Sequence, residues 1–193
     1  MFPLRLASLL LVAAIAWPAS AATIHREDGV HTEDWFNNQS FMELKEDARD
    51  AVAQEKGFVV IWEQPGCGSC QRLHEVNFQH PKLADYIGRR FSVMVMNMFG
   101  EVPVTDFDGE VMPEKDLAFK HKVSFTPTTI FFDADGKELF RMPGYFNPYF
   151  YLAGFVFVAE RGFADEATRG MFPRWLQANG PKVRAAFGGG PGS

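Results

Sequence analysis

Cysteine is nearly absent from this chain. Its 193 residues hold two, Cys67 and Cys70. With no second pair to staple the fold, packing must hold it, and the one pair is free to cycle chemically. A basic cluster or arm is also missing. Lys and Arg total 19 against 24 Asp and Glu, for a formal charge of −5. That acidic balance argues against nucleic acid as a partner. There are no internal repeats. No apolar run is long enough to span a bilayer comfortably; Leu6 to Trp17 ends at Pro18, and the aromatic run from Tyr145 to Val158 has polar ends.

What is present starts with an address. Arg5 is the only charged residue before His25, and Ala19-Ser20-Ala21 follows the apolar run. A basic start, a short apolar centre and small residues at a cleavage point make a secretory signal peptide over residues 1–21. A retained membrane anchor is the alternative. Loss of Arg5 takes the charge from −5 to −6 (−5 minus +1). The rest fits one domain, and 47% hydrophobic with 15% aromatic residues supplies a sizeable core.

Residues 22–35 read as an irregular N-terminal segment, 36–180 as the folded domain and 181–193 as a flexible tail ending Gly-Gly-Gly-Pro-Gly-Ser. Ser40 can cap a helix over Phe41 to Glu55, with Phe41, Leu44, Ala48 and Val52 on one face. Phe58 to Glu63 is a nearly continuous apolar strand. A helix then runs from the cysteines to about Phe78, His80-Pro81 interrupts it, and Leu83 to Arg89 continues. Phe91 to Asn97 is a second strand. Within the longer stretch from Met98 to Met112, Asp108-Gly109 between apolar-polar alternations signals a hairpin, either a partner contact or decoration. A helix over Pro113 to Lys122, strands over Thr128 to Phe132 and Lys137 to Met142, and helices over Pro148 to Glu160 and Glu166 to Ala178 complete the order. The aromatic run Tyr145 to Tyr151 reads as core packing more than as a partner surface. The fold class is α/β, a mixed central sheet with helices on both faces and a hairpin at one edge.

The chemistry sits in Gln64-Pro65-Gly66-Cys67-Gly68-Ser69-Cys70, directly after the first apolar strand. A Cys-x-x-Cys opening a helix brings two sulfurs within bonding reach, and the helix N-terminus favours a thiolate on the first. A second run, Phe125-Thr126-Pro127-Thr128-Thr129, places a proline at the mouth of a strand. Proline is tolerated there only at special positions, and a cis bond would let the chain turn tightly beside another loop.

In these motifs the chain resembles the thioredoxin family. The landmarks are Cys67-Gly68-Ser69-Cys70, Thr126-Pro127-Thr128, the run Phe131 to Glu138 and Gly144 after the last strand. Within the family it is most similar to the periplasmic sulfur-oxidation (SoxW-like) thioredoxins, on Trp62-Glu63-Gln64, Leu73 to Phe78, Val104 to Gly109 and Met142 to Tyr145. The resemblance implies the thioredoxin fold, here with an inserted hairpin loop and a C-terminal helical extension. It implies that Pro127 is cis and faces the cysteines, that Thr126 pairs its backbone with an extended substrate, and that Gly66, Gly68 and Ser69 complete the substrate-binding surface. Cys67 would be the nucleophile and Cys70 the resolving thiol. No cofactor is required. The implied partners are a disulfide-bearing periplasmic protein and a membrane thiol donor of the CcdA or DsbD kind, with the chain itself a monomer.

Three departures bear on the chemistry. The family usually has Trp before the first cysteine, where Gly66 stands; a buried Asp six residues before it, where Ile61 stands; and Gly-Pro between the cysteines, where Gly68-Ser69 stands. Glu63 shares a strand face with Ile61 and is expected to substitute as proton acceptor for Cys70; a solvated carboxylate at a strand end is the plainer reading. His74, four residues after Cys70, reads as a residue packing near the site. Zinc held by the two cysteines and His74 lacks a fourth ligand, so no metal is expected. Covalent haem would need His where Gln71 stands. A purely structural disulfide would gain little from so short a loop. The expected activity is reduction of protein disulfides outside the cytoplasm. An oxidase or isomerase, or a non-catalytic binding module on the same fold, are the alternatives.

Overall fold

A computed structural model describes residues 23–38 and 40–188. The expected signal segment 1–21 lies outside the described residues, as does the end of the expected tail. Four strands form the central sheet in the order β4-β3-β7-β8. They are β3 (Gly57–Glu63), β4 (Phe91–Asn97), β7 (Thr128–Phe132) and β8 (Glu138–Pro143). β3 pairs parallel with β4, from Gly57 opposite Phe91 to Glu63 opposite Asn97. It pairs antiparallel with β7, from Phe58 opposite Phe132 to Trp62 opposite Thr128. β8 closes the edge antiparallel to β7, with a bulge at Phe131/Phe132.

Alternation along β3 divides the interior in two. Phe58, Val60 and Trp62 face one core, with Met94, Met96, Ile130 and Phe132 from neighbouring strands. Over that face lie α1 (Leu44–Ala53) and α4 (Glu114–Lys120), through Leu44, Ala48, Ala51, Leu117 and Ala118. Val59 and Ile61 face the other, larger core with Phe91, Val93, Val95, Phe131 and Met142. A strand buried on both faces needs apolar residues at every position, which is why its sequence reads as a run and not as an alternation.

The larger core is covered by α3 (Pro81–Arg90), α5 (Pro148–Ala159) and α6 (Phe172–Ala186). α5 is the innermost. Asn147 caps it by accepting from the Phe150 N–H at 3.1 Å, and Pro148 stands in its first turn, where its missing N–H costs nothing. Every side chain from Tyr151 to Val158 is buried. Phe155 packs edge-on against Phe91 and Phe131, at 5.0 and 4.8 Å between ring centroids. The Tyr151 hydroxyl bonds Thr129 Oγ1 at 2.9 Å, satisfying a polar atom carried into the core.

Several expectations are corrected. The N-terminal segment is not irregular. β1 (Thr23–His25) and β2 (His31–Glu33) form an antiparallel hairpin in the register Thr23 opposite Glu33, turned at Asp28-Gly29 with Gly29 at φ 81°. α1 begins at Leu44, not Phe41. The Ser40 hydroxyl accepts from the Met42 N–H and bonds Asp47, so it organises the approach to the helix while Glu43 occupies the cap. Phe41 is therefore outside the helix and 93% exposed, and Val52 is 54% exposed; Ala51 takes the inward place. The last helix starts at Phe172, six residues past expectation, and runs to Ala186. Pro181 kinks it at Asn179 (φ −114°, ψ 15°) but does not end it, because Trp175 and Val183 on either side are both buried in the core. Residues 181–186 are thus helix and not tail.

The inserted stretch forms the expected hairpin, β5 (Pro103–Thr105) with β6 (Val111–Pro113). The Thr105 N–H donates to the Met42 carbonyl at 2.8 Å and Val104 is buried in the smaller core, so this insertion is part of the fold. Lys120 reaches back to Asp106 and Asp108 at 2.7 Å and Glu110 at 3.0 Å, closing the turn.

Truncating the ring at the centre of the larger core tests this layering. Phe155→Ala should cost about 3–5 kcal/mol, read as a lower urea midpoint at unchanged slope.

Candidate functional site

The topology brings the two motifs together. β3 and β7 are antiparallel neighbours, so the end of β3, which leads into the cysteines, lies beside the start of β7, which follows Pro127. Cys67 occupies the N-cap of α2 (Gly68–Arg72), extended at φ −77°, ψ 100°. The helix continues as a π-helical turn over Leu73–Phe78. Such turns cluster at functional sites because they re-aim side chains within a helix.

Cys67 and Cys70 are joined by a disulfide. Their surroundings differ. Cys70 is completely buried, whereas Cys67 is partly exposed and flanked by exposed Gly66, Gly68 and Ser69. The Cys67 sulfur accepts two hydrogen bonds, from the Cys70 N–H at 3.1 Å and the Thr126 hydroxyl at 3.3 Å. The Thr126–Pro127 peptide bond is cis. The Gly144 N–H donates to the Pro127 carbonyl at 2.7 Å and the Thr128 hydroxyl to the Phe125 carbonyl at 2.8 Å, which fixes this loop. Cys67, Cys70, Thr126 and Pro127 are thus brought to one place, with Gly66, Gly68 and Ser69 on its open side.

Gly66 has its own reason to be glycine. Its φ is 73°, in the left-handed region, and a β-carbon there would meet nothing within 4 Å. Backbone conformation, not space, selects the residue.

Glu63 has no solvent exposure. The reading of a solvated strand-end carboxylate is therefore corrected. Its Oε1 lies 2.7 Å from His74 Nε2, and its Oε2 accepts from the His31 N–H at 3.1 Å with His31 Nδ1 at 3.2 Å. His74 Nδ1 lies 2.7 Å from Glu33 Oε1. Glu33 is held in turn by the Thr23 hydroxyl at 2.9 Å and the Gln79 amide at 3.3 Å. The rings of Phe36 and Phe78 pack on His74 and shield it from water. Both oxygens of Glu63 are committed to histidines, and among the described residues no hydrogen bond joins Glu63 to Cys70.

Burial alone would raise the Glu63 pKa. Hydrogen bonds from His31 and His74, with the charge of His74, overcome that and hold it at about 2. Burial likewise opposes charge on His74, but the flanking Glu33 and Glu63 prevail and raise its pKa. The donor atoms of His31, Glu63 and His74 all lie within 4.8 Å of one another, close enough to share one ion. An irregular first segment offers no reason to single out His31 and Glu33, which the hairpin brings to the site. The signal was there: Asp28-Gly29 between His25 and His31 is the same turn dipeptide that marks the second hairpin.

Two outcomes follow. Gly66→Ala should cost about 1–2 kcal/mol in thermal or urea unfolding although its methyl group touches nothing. The Glu63 carboxyl has a lower pKa folded than its ordinary 4.5, so its contribution is complete above pH 4.5 and fades as the pH falls toward 2. In chelator-treated protein the stability gap between wild type and Glu63→Gln should therefore narrow by about 3 kcal/mol between pH 6 and pH 2. A pH-independent gap would show that the carboxylate is not held by its histidines.

The family model described as a thioredoxin-like domain matches residues 44–156. No curated protein matches the chain. Among solved structures, a thioredoxin-fold protein from Helicobacter pylori is 23% identical, with a TM-score of 0.51, over 69% of this chain and 83% of that one. The DsbH oxidoreductase is 17% identical with a TM-score of 0.47, over 80% and 95%. A thioredoxin from Thermus thermophilus is 20% identical with a TM-score of 0.42, over 64% and 88%. With a disulfide-bonded Cys-x-x-Cys at the head of the helix after the central strand and a match over more than half its length, the chain belongs to the thioredoxin-like domain family.

Proposed function

We propose that this protein reduces disulfides in other proteins outside the cytoplasm, cycling the Cys67–Cys70 pair between dithiol and disulfide. The observation that carries the reading is the Cys67 sulfur: partly exposed, and accepting from both the Cys70 N–H and the Thr126 hydroxyl. Once the disulfide is opened, the same two donors and the helix N-terminus would stabilise a thiolate there.

In this mechanism the Cys67 thiolate attacks one sulfur of a substrate disulfide and forms a mixed disulfide. The departing substrate sulfur leaves as a thiolate and takes up a proton. Cys70 then attacks Cys67, restores the enzyme disulfide and releases the second substrate sulfur. Two electrons and two protons pass from the enzyme dithiol to the substrate. The burial of Cys70 confines it to the second step, since no substrate sulfur can reach it directly. Thr126 and the exposed Gly66, Gly68 and Ser69 offer the surface on which an extended substrate segment would lie.

Export is supported by the N-terminal pattern of Arg5, the apolar run and Ala19-Ser20-Ala21. A reductant working outside the cytoplasm needs electrons carried across the membrane, which a thiol-transfer protein of the CcdA or DsbD kind would supply. The similarity of Trp62-Glu63-Gln64 and Met142 to Tyr145 to the sulfur-oxidation thioredoxins suggests a carrier of sulfur oxidation or a cytochrome-maturation component as substrate.

Cys67→Ser should lower disulfide reduction to background, and Cys70→Ser should accumulate mixed disulfides whose captured partners identify the substrate. The potential of the pair, set by thiol labelling in glutathione buffers, should fall near the −270 mV or so of thioredoxins. A value near about −120 mV would assign disulfide formation instead. A function unaffected by both serine variants would make the domain a binding module.

A further inference from the structure

We propose that His31, Glu63 and His74 form a buried binding site for one divalent metal ion of zinc-like preference, separate from the cysteines, with Glu33 orienting His74 from behind. Two imidazole nitrogens and a carboxylate are a donor set suited to such an ion. Glu63 points one oxygen at each histidine, Oε1 to His74 at 2.7 Å and Oε2 to His31 at 3.2 Å. Three residues thereby offer four donor atoms if Glu63 binds through both oxygens. The ligand atoms lie within 4.8 Å of one another. An ion about 2.0–2.2 Å from each would draw the widest-spaced donors together and part Glu63 from His74 to admit it.

The surroundings are those of a metal site. Metal-binding histidines almost always present their second nitrogen to a carboxylate or carbonyl, which fixes ring and tautomer. Glu33 does this for His74, at 2.7 Å from Nδ1, and is itself anchored by Thr23 and Gln79. The side chains of Glu33, Glu63 and His74 have no exposure and that of His31 is 9% exposed, so the edge of the β1–β2 hairpin is the way in.

Charge points the same way. Two buried carboxylates carry two negative charges, and a buried imbalance is costly. One dication, with both imidazoles binding as neutral ligands, would balance them. Binding involves no change of oxidation state. The ion would tie together the hairpin, the end of β3 and the π-helical turn that follows Cys70. The Cys-x-x-Cys zinc site weighed from the sequence needed a fourth ligand; here His74 is turned onto Glu63, and the cysteines are not used.

The test uses the full folded protein, chelator-stripped and with Cys67–Cys70 oxidised so that no thiol can bind metal. Titration with Co²⁺ should give visible absorption bands of a tetrahedral or five-coordinate site that saturate at one ion per chain. Zn²⁺ should displace the cobalt and raise the melting temperature. His31→Ala, on the peripheral hairpin, should weaken binding at least ten-fold, and Glu33→Gln, which keeps its shape, by about 10–100-fold. Failure to saturate at one ion, or affinities unchanged in both variants, would overturn the proposal. Disulfide reduction by the stripped protein is measured separately, so loss of the metal site would leave the redox reading standing, and the reverse.

Discussion

A carboxylate ends the central strand with no access to water, and much of the molecule is arranged around that fact. Glu63 cannot be stripped of solvent without compensation, because an unpaired buried charge costs several kcal/mol. Two histidines compensate it, and each comes from a different element. His74 enters from the helix that the cysteines begin, and His31 from a hairpin that joins the sheet by no strand pairing. The hairpin is bound to the domain by these contacts with Glu63 and His74, by Arg26 donating to the Val95 carbonyl at 3.0 Å, by the Gln79 amide on Thr23 and Glu33, and by the burial of Val30 in its loop and Phe36 just after it. The π-helical turn has a place in the same logic. It begins one residue before His74 and ends at Phe78, and of its buried residues His74 meets Glu33 and Glu63 while Phe78 packs on His74.

The disulfide site has the opposite requirement. Cys67 must be reached by another protein, so its loop is built of residues with little side chain, Gly66, Gly68 and Ser69, and its sulfur is steadied by one backbone donor and one hydroxyl. Neither donor is charged. The family's tryptophan before the cysteine is replaced by a glycine at φ 73°, so the loop takes a path that an L side chain would resist. Open chemistry and sealed charge are therefore separated by no more than the eleven positions from Glu63 to His74.

Much of this was legible in the residues, for identifiable reasons. β4 and β7 were placed to the residue because runs of β-branched, aromatic and sulfur side chains bounded by turn residues leave few alternatives. The Asp108-Gly109 hairpin and the Pro148 helix start followed from turn and cap chemistry that acts locally. Where tertiary contacts decide, the reading failed. Ser40 is a good capping residue, but its hydroxyl serves Met42 and Asp47, and the helix starts four residues later. Pro181 ought to end a helix, yet the burial of Trp175 and Val183 carries the helix through a kink. The cysteines could be found from spacing alone. The four-residue ion cluster could not, since its members lie at positions 31, 33, 63 and 74 and only the fold makes them neighbours.

That difference also explains why Glu63 was half understood. Strand alternation correctly set it on the face of Ile61, toward the larger core, and so near the helix of the cysteines. Alternation says nothing of what waits on that face. In the family pattern the buried acid stands two positions earlier, where this chain has Ile61. Moving the acid to the strand end brings it level with Asn97 of β4 and within reach of His31 and His74. An isolated buried acid has a raised pKa; Glu63, clasped between imidazoles, has a lowered one. Two residues from the family's position, the acid of this chain is thus held as a charge between its histidines. It leaves Cys67 to depend on its two neutral donors and the helix end, with no carboxylate bonded to either sulfur among the described residues.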